Sequence, residues 1–201
     1  MADQVAGLLL TGGASRRMGR EKATLRLGPG GEPLARHLGR LLTACCSPVL
    51  EVGGGRSGLP ALSDSPRQGP LGAVAAGAAA LSSVGHAGPA LVLATDLPFV
   101  SGALLAALAA HPADAAVSVV PLVGGRLQPL CARWSPASLA LAAELVAAGE
   151  RRAQAAFFGA SSFLALSPED LGSLDLAREL EDLDEPGDLR RLGLAEGPSS
   201  S

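Results

Sequence analysis

The chain contains no isoleucine, no asparagine and no tyrosine, and its only lysine is Lys22. All other basic side chains are arginine. This composition is typical of a GC-rich genome and indicates no particular chemistry. Under such a bias a lysine that is retained indicates a functional role, whereas the absence of asparagine says nothing about function.

The sequence also lacks the signals of nucleic-acid binding and of secretion. The formal net charge is -3, with no basic excess and no acidic tail, so we expect no nucleic-acid partner. Cys45, Cys46 and Cys131 form neither a zinc-binding spacing nor an even disulfide framework, which favours a cytoplasmic location. The N-terminus carries Asp3 and no basic region, and the apolar run that follows is too short for a signal peptide.

Residues 69–95 carry no Asp, Glu, Lys or Arg, which raises the question of a membrane span. Gly85, His86, Gly88 and Pro89 divide this stretch into a small-residue helix and a short buried strand. A membrane span needs about 20 unbroken apolar residues. We therefore expect no membrane insertion.

Apolar runs and helical periodicities alternate along the chain. Strands are predicted at residues 5–10, 49–52, 59–62, 90–94, 115–120, 127–132 and 163–166. Helices are predicted at residues 33–45, 69–81, 98–110, 136–148, near 157 and at 186–192. The alternation predicts an α/β protein, a three-layer α/β/α sandwich with a mainly parallel, Rossmann-like sheet. We expect a single domain over residues 1–194 and a disordered tail over residues 195–201.

The most specific motif follows the first strand and reads LLLTGGASRRMGREK, from Leu8 to Lys22. The pair Gly12 and Gly13 lets the backbone turn sharply and approach a ligand. Successive backbone N–H groups can then hold phosphate oxygens, and Arg17 and Lys22 add positive charge. The motif therefore indicates an anion-binding loop, the alternative being a surface turn with incidental arginines.

Two familiar phosphate-binding patterns do not fit this loop. A Walker loop has four residues between its glycines and then Gly-Lys-Ser/Thr, whereas five residues separate Gly13 from Gly19 and Arg20 follows. The dinucleotide pattern G-x-G-x-x-G is absent from the chain. The loop is therefore neither a Walker loop nor a dinucleotide-binding loop.

Asp96 follows the apolar strand predicted at residues 90–94. The carboxyl ends of parallel strands form the ligand-binding edge of such sheets, so Asp96 is expected in the same crevice as the loop. Mg²⁺ is bound by one or two carboxylates together with substrate phosphates. We therefore favour Mg²⁺ binding over the alternative role of Asp96 as a helix N-cap.

Other polar residues carry weaker signals. Asp64 could accept a hydrogen bond from a base or ribose, or could be an ordinary turn residue. Gln128, Arg151 and Arg152 are candidates for contact with a second substrate, with a structural role as the alternative. Asp184 either caps the last helix or belongs to the same second-substrate region.

The loop resembles the signature L-A-G-G-x-S-x-R-M-G-x-D-K of molybdenum cofactor guanylyltransferases and their nucleotidyltransferase relatives. Residues 69–72, 95–99, 128–130, 149–152 and 184–189 are similar to further segments of that family, in the same order. Thr11 and Glu21 stand where the family usually has Ala and Asp, and Asp184 stands where it often has Asn.

The resemblance implies a nucleotide-diphospho-sugar transferase-like fold and a specific reaction. The enzyme would transfer GMP from GTP to the molybdenum-molybdopterin cofactor, forming the molybdopterin guanine dinucleotide cofactor and pyrophosphate with Mg²⁺. By the same resemblance Leu10, Thr11 and Gly12 would line the nucleotide, and Gly13 would shape the phosphate turn. Lys22 and Arg17 would act on the phosphates. Gly53 and Asp64 would hold guanine and ribose, and Asp96 would hold Mg²⁺.

Two alternatives stay open from the sequence. One is a related transferase, namely a CTP:molybdopterin cytidylyltransferase, a 2-phospholactate guanylyltransferase or a sugar-phosphate nucleotidylyltransferase. The other is a non-catalytic nucleotide-binding module. For the guanylyltransferase, transient contact with cofactor-delivery proteins or molybdoenzyme chaperones is expected.

Overall fold

The computed structural model describes residues 4–12, 22–26, 31–63, 68–160, 162–183 and 188. The strands are β1 (Ala6–Leu10), β2 (Val49–Val52), β3 (Ala61–Leu62), β4 (Ala90–Ala94), β5 (Ser118–Val123), β6 (Arg126–Leu127), β7 (Cys131–Trp134) and β8 (Phe163–Leu166). The helices are α1 (Leu34–Thr43), α2 (Gly69–Ser83), α3 (Gly102–Ala109), α4 (Pro136–Ala147), α5 (Ala155–Gly159) and α6 (Leu176–Glu179). Short 3-10 helices cover Lys22–Thr24 and Pro168–Leu171.

In the described part of the chain the strands form one sheet in the order β3-β2-β1-β4-β7-β5-β6, with β8 paired to β5. β1 pairs in parallel with both β2 and β4, and β2 pairs in parallel with β3. β7 lies antiparallel between β4 and β5, so β5 runs in the same direction as β4. The predicted mainly parallel sheet is therefore confirmed, and the carboxyl ends of β1, β2, β3 and β4 share one edge.

Helices cover both faces of the sheet because consecutive side chains of the central strands point to opposite faces. Leu8 and Leu10 of β1 pack in one buried cluster with α2, α4 and α5, whereas Leu9 packs in the other with α1, α3 and α6. β4 alternates in the same way, with Val92 in the first cluster and Leu93 in the second. This arrangement confirms the predicted three-layer sandwich.

Three of the predicted strands differ from the structure by two residues or more, and each lies beside a proline. The strand predicted at residues 59–62 begins only at Ala61, after Pro60. The strand predicted at residues 115–120 lies at Ser118–Val123 and includes Pro121, whose carbonyl accepts a hydrogen bond from the Gln128 N–H at 2.9 Å. The strand predicted at residues 127–132 is divided into β6 and β7 by a turn at residues 128–130. Pro129 has no N–H for a ladder, so a continuous strand through it is disfavoured.

The helix predicted at residues 186–192 and the tail predicted at residues 195–201 lie outside the described residues, except for Asp188. Among the described residues, no helix combines the length and the apolar character that crossing a membrane requires.

Candidate functional site

The ends of β1, β2 and β4 meet at one edge of the sheet. The backbone N–H groups of Thr11 and Gly12 both donate to the Val52 carbonyl, at 3.0 and 3.3 Å. On the other side, the Thr95 N–H donates to the Leu10 carbonyl at 3.1 Å. The segment Leu10 to Gly12 is therefore held between the residues that follow β2 and those that follow β4.

Gly53 packs directly against this segment. It has a φ of +147°, and its N–H donates to the Leu62 carbonyl at 2.9 Å. A Cβ built on Gly53 would lie 2.5 Å from the Gly12 nitrogen and closer still to the Thr11 hydroxyl, where real Cβ atoms are not found. Glycine at this position therefore permits the close approach of the two loops.

Glu51 of β2 is a buried carboxylate that the sequence interpretation missed. Its Oε1 accepts hydrogen bonds from the Thr11 hydroxyl at 2.5 Å and from the Arg56 N–H at 2.9 Å. Its Oε2 accepts from the Ser57 N–H at 2.8 Å and from the Ser57 hydroxyl. The signal in the sequence is the acid within Val49-Leu50-Glu51-Val52, because a charged residue in a short buried strand requires partners.

The hydrogen bonds keep Glu51 ionised in spite of its burial. Burial raises the pKa of Glu51, but the bonds from the Ser57 and Thr11 side chains and from two backbone N–H groups lower it further than burial raises it. The net pKa of Glu51 lies below its ordinary value of 4.5. The carboxylate is therefore negatively charged at neutral pH.

Asp96 lies two residues beyond the end of β4 and is half-buried. Burial raises the pKa of the Cys131 thiol, and the negative charges of Glu179 and Asp96 raise it further, so both carboxylates lie near that thiol. The described residues include no cluster of three or more His, Cys, Asp or Glu side chains suited to a metal ion. A single carboxylate at the sheet edge nevertheless fits Mg²⁺, which takes most of its other ligands from phosphates and water.

The C-terminal part of the described chain packs against the Asp96 turn. The Leu183 N–H donates to the Asp96 carbonyl at 2.8 Å. The Ser101 N–H donates to the Glu179 carboxylate at 2.9 Å. These two bonds therefore fix both ends of the segment that joins β4 to α3.

Gln128 lies in the turn that precedes β7, at the same sheet edge as Asp96. The Ala94 N–H donates to the Leu130 carbonyl at 2.9 Å, which joins this turn to the end of β4. The Trp134 indole N–H donates to the Pro129 carbonyl at 2.8 Å. The antiparallel direction of β7 thus brings the start of a strand to the edge where the parallel strands end.

Two of the motif segments contact each other at the start of α2. Gly69 has a φ of +66°, and a Cβ built there would lie 3.1 Å from the Arg151 Cβ. The Leu71 N–H donates to the Arg151 carbonyl at 3.3 Å. The Arg151 side chain is exposed, whereas Arg152 forms an ion pair with Glu150 at 2.8 Å. The segments at residues 69–72 and 149–152 therefore form one surface.

The structure brings together Leu10, Thr11, Gly12 and Gly53, and places Asp96 and Gln128 at the same edge. The backbone of Lys22 lies in a short helix, and its side chain is outside the described part. Four further residues singled out from the sequence lie outside the described residues: Gly13, Arg17, Asp64 and Asp184.

Comparison with known proteins gives consistent results. Residues 7–163 match the family described as MobA-like NTP transferase domain. The chain is 37% identical over 196 residues to a probable molybdenum cofactor guanylyltransferase of Chloroflexus aggregans, with 92% of each chain covered. It is 38% identical over 187 residues to a molybdenum cofactor guanylyltransferase of Cereibacter sphaeroides, covering 82% of this chain and 92% of the other.

A solved structure shares the fold. Molybdopterin-guanine dinucleotide biosynthesis protein A from Archaeoglobus fulgidus superposes with a TM-score of 0.72 at 21% identity. The match covers 93% of this chain and 96% of that chain.

Proposed function

Because the chain belongs to the MobA-like NTP transferase family, we propose that it transfers GMP from GTP to the molybdenum-molybdopterin cofactor. The products are the molybdopterin guanine dinucleotide cofactor and pyrophosphate. The observation that carries the proposal is the similarity, over nearly the whole chain, to relatives named molybdenum cofactor guanylyltransferase. The grouping of the motif segments at one sheet edge supports it.

We assign the nucleotide to the junction of β1 and β2. Leu10, Thr11 and Gly12 line it on one side, and Gly53 allows the second loop to approach it. Gly54 beside it is exposed and has no side chain to obstruct a purine. By the motif, Gly13 and Lys22 hold the phosphates and Asp64 the ribose.

In the reaction a phosphate oxygen of the pterin attacks the α-phosphorus of GTP, and the bond from that phosphorus to the pyrophosphate group breaks. The attacking oxygen is already ionised at neutral pH, so no general base is needed. The chain's contribution is to position the two substrates and to stabilise charge with Arg17 and Lys22. Asp96 would hold Mg²⁺, which neutralises negative charge on the phosphates when bound.

The second substrate is assigned to the surface beside the nucleotide. Gln128 reaches this edge through the turn before β7, and Arg151 reaches it through its contact with Gly69. Since Arg152 is paired with Glu150, Arg151 is the arginine we expect to contact the pterin phosphate, and Arg152 and Asp184 extend that region. Contact with cofactor-delivery or chaperone proteins and a cytoplasmic location belong to the same proposal.

The test is pyrophosphate release by the purified chain with Mg²⁺, molybdenum-molybdopterin and either GTP or CTP. We expect release with GTP, and a loss of at least about 10²-fold in kcat for Asp96→Asn. Asp114→Asn, an exposed acid that precedes β5 at the opposite edge, is the matched control and should keep full activity.

Two outcomes would contradict the proposal in different ways. Faster release with CTP than with GTP would make the chain a cytidylyltransferase. Near-normal Mg²⁺-dependent turnover by Asp96→Asn would leave the transfer reaction standing and overturn the assignment of Mg²⁺ to Asp96.

A further inference from the structure

Glu51 is fully buried, with 0% of its surface exposed to solvent. The packing of strand β2 does not require an acidic side chain. Its neighbours on β2 contribute apolar side chains to the two buried clusters. Burying a carboxylate is costly unless every lone pair finds a donor. The cost is offset here by four hydrogen bonds, all from residues in the two loops that flank the proposed nucleotide site.

The hydrogen bonds of Glu51 join two separate segments of the chain. Thr11 belongs to the segment after β1, whereas Arg56 and Ser57 belong to the loop after β2. The Thr11 hydroxyl donates to Glu51 and also accepts from the Gly54 N–H at 3.2 Å. Thr11 and Glu51 thus form a bridge across the two loops.

We propose that Glu51 is a positioning residue for nucleotide binding, which fixes the gap between residues 11–12 and residues 53–57 so that one nucleotide contacts both loops. The inference rests on the proposed function, because it takes the nucleotide to lie at this junction. Glu51 acts through Thr11 and Ser57 and does not touch the substrate itself. A ligand that engages only the phosphate loop has no need of this gap.

Glutamine cannot replace Glu51 without breaking the bridge. Each carboxylate oxygen accepts from one backbone N–H, that of Arg56 or that of Ser57. In either orientation the amide nitrogen of a glutamine would therefore face a backbone donor. A buried donor that faces another donor loses its hydrogen bond and favours separation of the two groups.

The test is isothermal titration of the wild type and Glu51→Gln with Mg·GTP and, separately, with Mg·tripolyphosphate. We expect Glu51→Gln to raise the Kd for GTP by about tenfold, on the scale of one lost charge-assisted hydrogen bond. The Kd for tripolyphosphate should change less than about twofold. If Glu51 only stabilised the fold, Glu51→Gln would lower the fraction of protein able to bind and would leave the Kd of the folded fraction unchanged.

Two more variants keep the inference testable if Glu51→Gln folds poorly. Ser57→Ala removes the hydroxyl that donates to Oε2 and accepts from the Leu59 N–H at 3.2 Å, but keeps the Ser57 N–H donor to Glu51, and should raise the Kd for GTP in the same direction by a smaller factor. Glu144→Gln changes an exposed glutamate on α4 and should leave both Kd values unchanged.

Each contradicting outcome identifies what fails. Equal GTP Kd values for the wild type, Glu51→Gln and Ser57→Ala would overturn the role of Glu51 and leave the proposed function intact. A parallel rise in both Kd values would also overturn it, because the effect would not depend on the gap between the loops. A wild-type chain that binds GTP no better than tripolyphosphate would overturn the nucleoside site itself, and this inference with it.

Discussion

Gly53→Ala tests the close contact between the two loops of the site. The new Cβ would lie 2.5 Å from the Gly12 nitrogen, so the loops must separate by at least about 0.5 Å to reach 3.0 Å. Besides the Thr11 hydroxyl, the Cβ meets two backbone atoms, the Gly12 nitrogen and the Thr11 carbonyl carbon, which cannot rotate away as the end of a flexible side chain can. The separation is therefore expected to displace the groups that line the nucleotide.

The expected magnitude follows from that displacement. A misplacement of about 1 Å near a reacting centre can cost about 10²-fold in rate, so a shift of about half that size is expected to lower kcat/KM for GTP by about tenfold. The φ of +147° is unfavourable for alanine, at a cost of about 1–3 kcal/mol in unfolding free energy. For a chain of this length that corresponds to a fall in Tm of about 2–4 °C per kcal/mol.

Gly58→Ala separates these two effects. Gly58 lies in the same loop with a φ of +84°, but a Cβ there would meet nothing within 4 Å. It should lower the Tm by a similar amount and leave kcat/KM unchanged in the pyrophosphate-release assay. Equal kcat/KM values for Gly53→Ala and Gly58→Ala would refute the argument that loop spacing controls nucleotide use.

Two further predictions concern stability. The pKa of Glu51 in the folded protein lies below 4.5, so the stabilisation that its carboxylate provides is present above about pH 4.5 and is lost as the pH falls through the folded pKa. The difference in Tm between the wild type and Glu51→Gln should therefore shrink as the solution is acidified. A difference that grows would contradict this. Trp134→Phe removes the indole donor to the Pro129 carbonyl, which should lower the free energy of unfolding by about 1–3 kcal/mol. Urea unfolding followed by circular dichroism measures this change, and an unchanged midpoint would contradict it.

The sequence predicted the central part of the fold well because its strands are apolar runs, with Glu51 of β2 the one charged residue among β1, β2 and β4. β2 and β4 lie at the residues predicted for them, and β1 begins one residue late. These strands are buried in the middle of the sheet, where an apolar run bounded by glycine or proline has few alternative structures. β5 and β7 were misplaced because Pro121 lies within β5 and Pro129 lies in the turn before β7, where the apolar pattern does not show the strand ends.

The candidate site was only partly predictable. The carboxyl ends of parallel strands meet at one edge, which predicted that the Gly12 loop and Asp96 share a crevice, whereas Thr11 and Gly53 were assigned to the site only by the family resemblance. Glu51 was missed because its importance depends on donors that are distant in sequence or lie in the following loop. The contact between Gly69 and Arg151 likewise depends on how α2 and α4 pack, which periodicity does not specify.

The hydrogen bonds of β1 with its two neighbours continue past the strand ends, because the Thr95 N–H donates to the Leu10 carbonyl and the Thr11 N–H donates to the Val52 carbonyl. Every residue of β1 and β4 is buried. Amide protons at Thr11 and Thr95 can therefore exchange with solvent only when the centre of the sheet opens, as slowly as those of the strands themselves. For the nucleotide site proposed at this junction, the consequence is that the segment is ordered before a ligand arrives and adds little to the conformational entropy lost on binding.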